Sequence, residues 1–61
     1  MPVITFDGGK LSREQKAALA AQLTEVAHAV TSIPKPAFVV FIRENEPDNI
    51  GVGGELLSDR K

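Results

Sequence analysis

The apolar residues of this chain fall into two short runs that flank one long amphipathic segment. The first run is Val3 to Phe6, which is rich in β-branched residues, and Asp7-Gly8-Gly9 follows it with residues typical of turns. This pattern predicts a first strand over residues 2–7.

The amphipathic segment predicts a helix of about 20 residues. Gln15 follows Ser12 at the spacing of a capping box, so the helix is expected to begin near Ser12. Apolar residues then recur at steps of four and three, which places them on one side that we expect to be buried. These residues are Leu19, Leu23, Val26, Val30 and Ile33. The polar residues expected on the solvent side are Gln22, Glu25, His28 and Ser32. Pro34 and Pro36 predict the end of the helix.

The second apolar run, Ala37 to Ile42, shows no alternation, which is typical of a strand with both faces covered. Two strands joined by a helix form a right-handed crossover, so the strands should be parallel. The chain is therefore predicted to be a βαβ unit. One helix covers only one face of the sheet, so we expect another subunit to cover the rest.

The last part of the chain predicts a short hairpin or arm. A turn cluster at residues 46–49 precedes the segment Ile50 to Leu57, which holds three glycines in four positions. Such an arm can lie across a neighbouring subunit or border a pocket. The predicted fold class is thus α/β (α+β by some schemes), a single domain over residues 1–61 with its sheet completed by dimerisation.

The size of the chain, 61 residues, predicts that stability depends on a supplement to the hydrophobic core. Domains this small bury only about 60% of the surface that their unfolded chain exposes. There is no cysteine for a disulfide, and the single histidine, His28, has no partner at metal-ligand spacing. We therefore expect no metal site and a homo-oligomer.

The charge pattern disfavours several classes of partner. A net charge of −1, from seven basic and eight acidic residues, predicts neither nucleic-acid nor membrane-surface binding. No stretch has the length of a transmembrane span, and the first residues lack the pattern of a signal peptide. A cytoplasmic location is expected.

Pro2 is the residue that most strongly suggests chemistry, because removal of Met1 would leave a secondary amine at the start of a strand. A free α-amine has a pKa of roughly 7.7 to 8.0, and an apolar pocket lowers it further. A neutral fraction then exists at physiological pH, which makes Pro2 a candidate general base.

Several features together resemble the 4-oxalocrotonate tautomerase family. They are proline directly after Met1, the Ser12-Arg13-Glu14-Gln15-Lys16 helix start, the βαβ spacing, and the segment Gly51-Val52-Gly53-Gly54-Glu55-Leu56. The resemblance covers nearly the whole chain. It implies dimers with a four-stranded sheet, commonly assembled as hexamers (trimers of dimers), and cofactor-independent enol–keto proton transfer on a small 2-oxo acid resembling 2-hydroxymuconate. The resemblance implies that Pro2 acts as the general base and acid of this proton transfer.

Three other site positions implied by the resemblance carry different side chains here. Where better-known members have an arginine before the helix, this chain has Leu11, and the preceding Lys10 is the candidate cation for a substrate carboxylate. A second arginine aligns with Val39, and a pocket aromatic aligns with Ile50, which can still keep the site dry. We take Lys10, Val39 and Ile50 as substrate-binding positions. We expect these changes to weaken the binding of a dicarboxylate more than they affect proton transfer by Pro2.

Two other functional classes are compatible with the same residues. One is an oligomeric binding or scaffold protein that keeps the fold without efficient catalysis, which the missing arginines favour. The other is dehalogenation or hydration of an unsaturated acid, in which the charged amine acts as a general acid. An intact mass showing Met1 retained in the native host would favour the scaffold.

Overall fold

The fold is a parallel βαβ unit followed by a hairpin. The structure is a computed structural model that describes residues 1–60. Strand β1 spans Val3–Gly8, helix α1 spans Arg13–Thr31 and strand β2 spans Val39–Glu44. The two strands pair in parallel, with Val3 opposite Val39. This confirms the predicted βαβ arrangement.

The strand limits differ from the prediction of residues 2–7 and 37–42. The first strand runs on to Gly8 because the carbonyl oxygen of Gly8 accepts a hydrogen bond from the backbone N–H of Asn45, at 2.8 Å. The second starts later because Lys35–Ala37 forms a 3-10 turn. Its hydrogen bonds use the N–H groups of Ala37 and Phe38, at 3.0 and 3.1 Å. The prolines therefore set up a turn before β2 rather than only ending the helix.

Helix α1 begins as its sequence predicts. The Ser12 hydroxyl accepts a hydrogen bond from the backbone N–H of Gln15 (3.1 Å), and the Gln15 side chain accepts one from the Ser12 N–H (2.9 Å). These bonds satisfy two N–H groups that the helix itself leaves without partners. The helix ends at Thr31, three residues before Pro34, because Ser32 adopts a left-handed conformation (φ 63°) and its N–H donates to the His28 carbonyl. No helix within residues 1–60 is long and apolar enough to cross a membrane.

The apolar side of α1 is only partly covered. Leu19 and Leu23 are half-buried, but Val26 and Val30 are 63% and 79% exposed, so the prediction that this side is buried is wrong for them in the single chain. Two strands about 4.8 Å apart form a sheet that is narrower than a helix with its side chains, so the sheet covers only part of the apolar side of α1.

His28, expected on the surface, is half-buried, and its Nδ1 donates to the Ile33 carbonyl oxygen 2.7 Å away.

The sheet has one face against the helix and one open face. Ile4 and Phe6 are half-buried on the helix side. On the open face Val3 is 53% exposed and Phe41 is 49% exposed. The expectation that both faces of β2 are covered therefore does not hold within one protomer. No residue among residues 1–60 is fully buried, so the single chain has no closed core.

The C-terminal hairpin is confirmed. Gly51–Val52 (β3) pairs antiparallel with Glu55–Leu56 (β4). The turn between them is Gly53-Gly54 with φ of 62° and 86°, a backbone that favours glycine at both positions. The radius of gyration is 14.9 Å, against about 10 Å expected for a compact chain of this length. The protomer is thus elongated, and the apolar side chains of its hairpin are partly exposed.

We expect Ser12→Ala to destabilise the protein by about 1 kcal/mol, because it removes the hydroxyl that caps α1. Denaturant unfolding at one fixed protein concentration measures the change. Ser58→Ala, at an exposed position in the last turn, is the matched control and should unfold as the wild type does. Equal unfolding midpoints for the two variants would contradict the capping role.

Candidate functional site

Pro2 and Val39 lie together at the amino end of the sheet. The Val39 N–H donates to the Pro2 carbonyl oxygen at 3.0 Å, and both residues are half-buried. Met1 precedes Pro2 and is 89% exposed. While Met1 is attached, the Pro2 nitrogen belongs to an amide and has no basic lone pair.

Lys10 and Ile50 lie together at the other end of the sheet, where they line a cavity of about 390 Å³. This volume is within the range of small-molecule sites, roughly 300 to 1,000 Å³. Two carboxylates, Glu44 and Glu46, also line the cavity. The polar lining therefore combines one cation and two acidic groups with the neutral amide of Asn45.

The apolar wall of the same cavity comes from the base of the hairpin. Pro47, Ile50 and Leu57 form it. The Leu57 N–H donates to the Ile50 carbonyl oxygen at 2.9 Å, and the Ile50 N–H donates to the Pro47 carbonyl oxygen at 3.3 Å. The hairpin thus fixes three apolar residues beside the loop that carries Lys10.

The four residues predicted for the site form two separate pairs within one protomer. Pro2 precedes β1 and Lys10 follows it, so the length of the strand separates them. At about 3.3 Å per residue, Pro2 and Gly8 alone are roughly 20 Å apart. A single chain therefore cannot bring its own Pro2 and Lys10 to one small substrate.

Glu44 holds the loop that carries Lys10. One carboxylate oxygen accepts a hydrogen bond from the Leu11 N–H at 2.9 Å, and the other lies 2.9 Å from the Lys16 ammonium nitrogen. The Leu11 N–H, then Lys16, hold the pKa of Glu44 below its ordinary value of 4.5. No sequence motif marks Glu44, but the parallel register places it opposite Gly8, where the loop starts.

Comparison with known proteins gives one consistent result. A family model described as tautomerase enzyme matches residues 2–60. A probable tautomerase of Bacillus cereus and one of Bacillus anthracis are each 41% identical over 49 residues, which is 80% of this chain and 80% of the relative. The match therefore includes most of both chains.

Solved structures agree with the sequence relatives. YwhB, a homologue of 4-oxalocrotonate tautomerase, superposes with a TM-score of 0.91 at 33% identity, covering 98% of this chain and 100% of its own. DmpI from Archaeoglobus fulgidus gives a TM-score of 0.84 at 34% identity, with 95% and 100% covered. The likeness extends over the βαβ unit and the hairpin.

Because its pKa is lowered in the folded state, Glu44 stabilises the protein above its unfolded pKa, and this contribution is lost as the pH falls through the folded pKa. We expect Glu44→Gln to make stability less dependent on pH between about pH 6 and pH 3. Denaturant unfolding across that range measures the dependence.

Lys16→Gln is the companion variant, because it removes the ion pair and leaves the Leu11 hydrogen bond in place. It should reduce the acid sensitivity less than Glu44→Gln does. A wild-type pH dependence in Glu44→Gln would show that this carboxylate is not coupled to folding.

Proposed function

Because this chain belongs to the tautomerase family, we propose that Pro2, freed by removal of Met1, acts as general base and acid in enol–keto proton transfer on a small 2-oxo acid. Family membership itself establishes a tautomerase-type, isomerase-class function. The observation that carries the proposal is the position of Pro2, half-buried beside Val39 at the end of the sheet, with an exposed Met1 before it.

The proposed chemistry requires only proton transfer. The neutral amine of Pro2 takes the hydroxyl proton of the enol, and the resulting ammonium returns a proton to a carbon of the same molecule. Nothing is oxidised or reduced and no group leaves, so no cofactor is needed. The half-buried position of Pro2 disfavours the charged amine and so keeps a neutral fraction available near pH 7.

The remaining residues have separate roles in this proposal. Lys10 binds the carboxylate of the substrate as a point charge. Ile50 forms an apolar wall that limits access of water, which strengthens the electrostatic interactions inside the site. Val39 lines the site beside the amine.

We also propose that the complete site forms between protomers. Each strand of a two-stranded sheet has one free edge. If two β1 edges pair antiparallel about a two-fold axis, the Pro2 end of one strand meets the Lys10 end of the other. The pairing closes the roughly 20 Å gap within a chain and completes a four-stranded sheet.

The open face of that sheet favours further assembly. Val3 and Phe41 remain about half exposed there, and the hairpin also exposes Val52 and Leu56. Packing such faces against one another removes apolar surface from water. We therefore propose a hexamer built as a trimer of dimers, with the hairpin arm lying on a neighbouring protomer.

Pro2→Ala should lower kcat for ketonisation of phenylenolpyruvate by about 10²- to 10⁴-fold, the usual contribution of a positioned acid or base. The assay uses protein whose intact mass shows that Met1 is absent. Pro34→Ala, an exposed proline after the helix, is the matched control and should retain activity. Equal rates for wild type and Pro2→Ala would remove Pro2 from the mechanism, and assembly without activity would favour the scaffold function.

Mixing two inactive variants tests whether the site is shared. Pro2→Ala and Lys10→Ala are unfolded together in equal amounts and refolded. A mixed dimer then has one site with both Pro2 and Lys10 intact, so random pairing should restore about a quarter of wild-type activity. Each variant refolded alone is the control. Recovery no greater than the mean of the separate variants would contradict an intersubunit site.

A further inference from the structure

We propose that the cavity beside Lys10 selects monocarboxylates with an apolar tail and discriminates against dicarboxylates. This inference rests on the proposed function and narrows its substrate class. It departs from the 2-hydroxymuconate-like dicarboxylate that the family resemblance implies.

The charged residues that line the cavity can bind one substrate carboxylate. Lys10 is the single cation among the described residues that line it. Of the two lining carboxylates, Glu44 is paired with Lys16 at 2.9 Å, whereas Glu46 has no ion pair within residues 1–60. One attractive charge and one repulsive charge therefore face a bound anion.

A second carboxylate on the substrate would lose water without gaining a second cation from the described lining residues. The Asn45 amide, which also lines the cavity, already donates to the Gly8 and Arg43 carbonyl oxygens at 3.4 and 3.5 Å. An ionised carboxylate that leaves water is costly unless a cation or hydrogen bonds replace the lost hydration. Lys10 acts as a point charge and is already used by the first carboxylate. Repulsion by Glu46 further disfavours a second anion, which is how a site rejects a related ligand.

The rest of the wall suits an apolar tail. Pro47, Ile50 and Leu57 line it, and Ile50 and Leu57 are half-buried at the base of the hairpin. Beside the amine, Val39 continues this apolar character in the assembled site proposed above. A hydrocarbon or aromatic tail on the substrate gains by leaving water against these side chains.

Kinetics with two substrates test the selectivity. Processed wild-type protein is assayed with phenylenolpyruvate, a monocarboxylate, and with 2-hydroxymuconate, a dicarboxylate, and each kcat/KM is divided by the uncatalysed rate. The selectivity ratio is this normalised kcat/KM for the monocarboxylate divided by that for the dicarboxylate. We expect the ratio to favour the monocarboxylate by about tenfold or more, the scale on which pockets discriminate between related ligands. A ratio that favours the dicarboxylate would overturn the proposal.

Variants identify the source of the selectivity. Glu46→Gln should shift the ratio toward the dicarboxylate by roughly three- to tenfold, and Glu46→Lys should shift it further. Glu14→Gln removes the same charge from the exposed first turn of α1 and should leave the ratio unchanged. Equal shifts in Glu46→Gln and Glu14→Gln would show a general effect of net charge and refute the role of Glu46.

Measurements of ligand binding distinguish failure of this inference from failure of the proposed function. If processed protein is inactive with both substrates, the proposed function fails. Titration with unreactive phenylacetate and cis,cis-muconate, followed by NMR shifts of the Lys10 and Leu11 amides, then tests selectivity alone. Tighter binding of phenylacetate supports the inference, and binding of muconate that is as tight or tighter overturns it.

Discussion

The lack of a closed core in the protomer is the constraint on which the rest of the structure depends. Ile4, Phe6 and Leu23 each stay half-buried, and the opposite face of the sheet is open at Phe41. Folding must offset a large loss of conformational entropy, chiefly by burying apolar surface. The association between copies of the chain that we propose would remove part of this surface from water.

The βαβ topology separates the proposed catalytic base from its proposed binding groups. A crossover of βαβ type fixes both strands in parallel, so the start of β1 and the loop after it lie at opposite ends of the sheet. Pro2 is therefore held far from Lys10 in one chain. Two-fold pairing of β1 edges would stabilise the sheet and bring these ends together in one step. In this proposal, stability and catalysis depend on the same interface.

Local signals in the sequence predicted the elements well. The capping box at Ser12 and the Gly53-Gly54 turn each act over a few residues, so they can be interpreted without the rest of the chain. Burial depends on everything that packs against a helix, and for that reason the apolar periodicity of Val26 and Val30 did not predict their exposure in the single chain. The position of His28 depended on a hydrogen bond to Ile33 at the end of the helix, which helical periodicity does not describe.

The candidate site shows the same division between local and long-range information. Pro2 stands out in the sequence because no other residue offers its chemistry, whereas Glu44 acts through long-range contacts with Leu11, 33 residues away, and with Lys16. Its position at the end of β2 follows from the parallel register, and the register is known only once the strands are paired. The carboxylate holds the Lys10 loop and also adds negative charge to the cavity wall. Lys16 balances that charge from the first turn of the helix, so Lys10 keeps its attraction for a substrate anion.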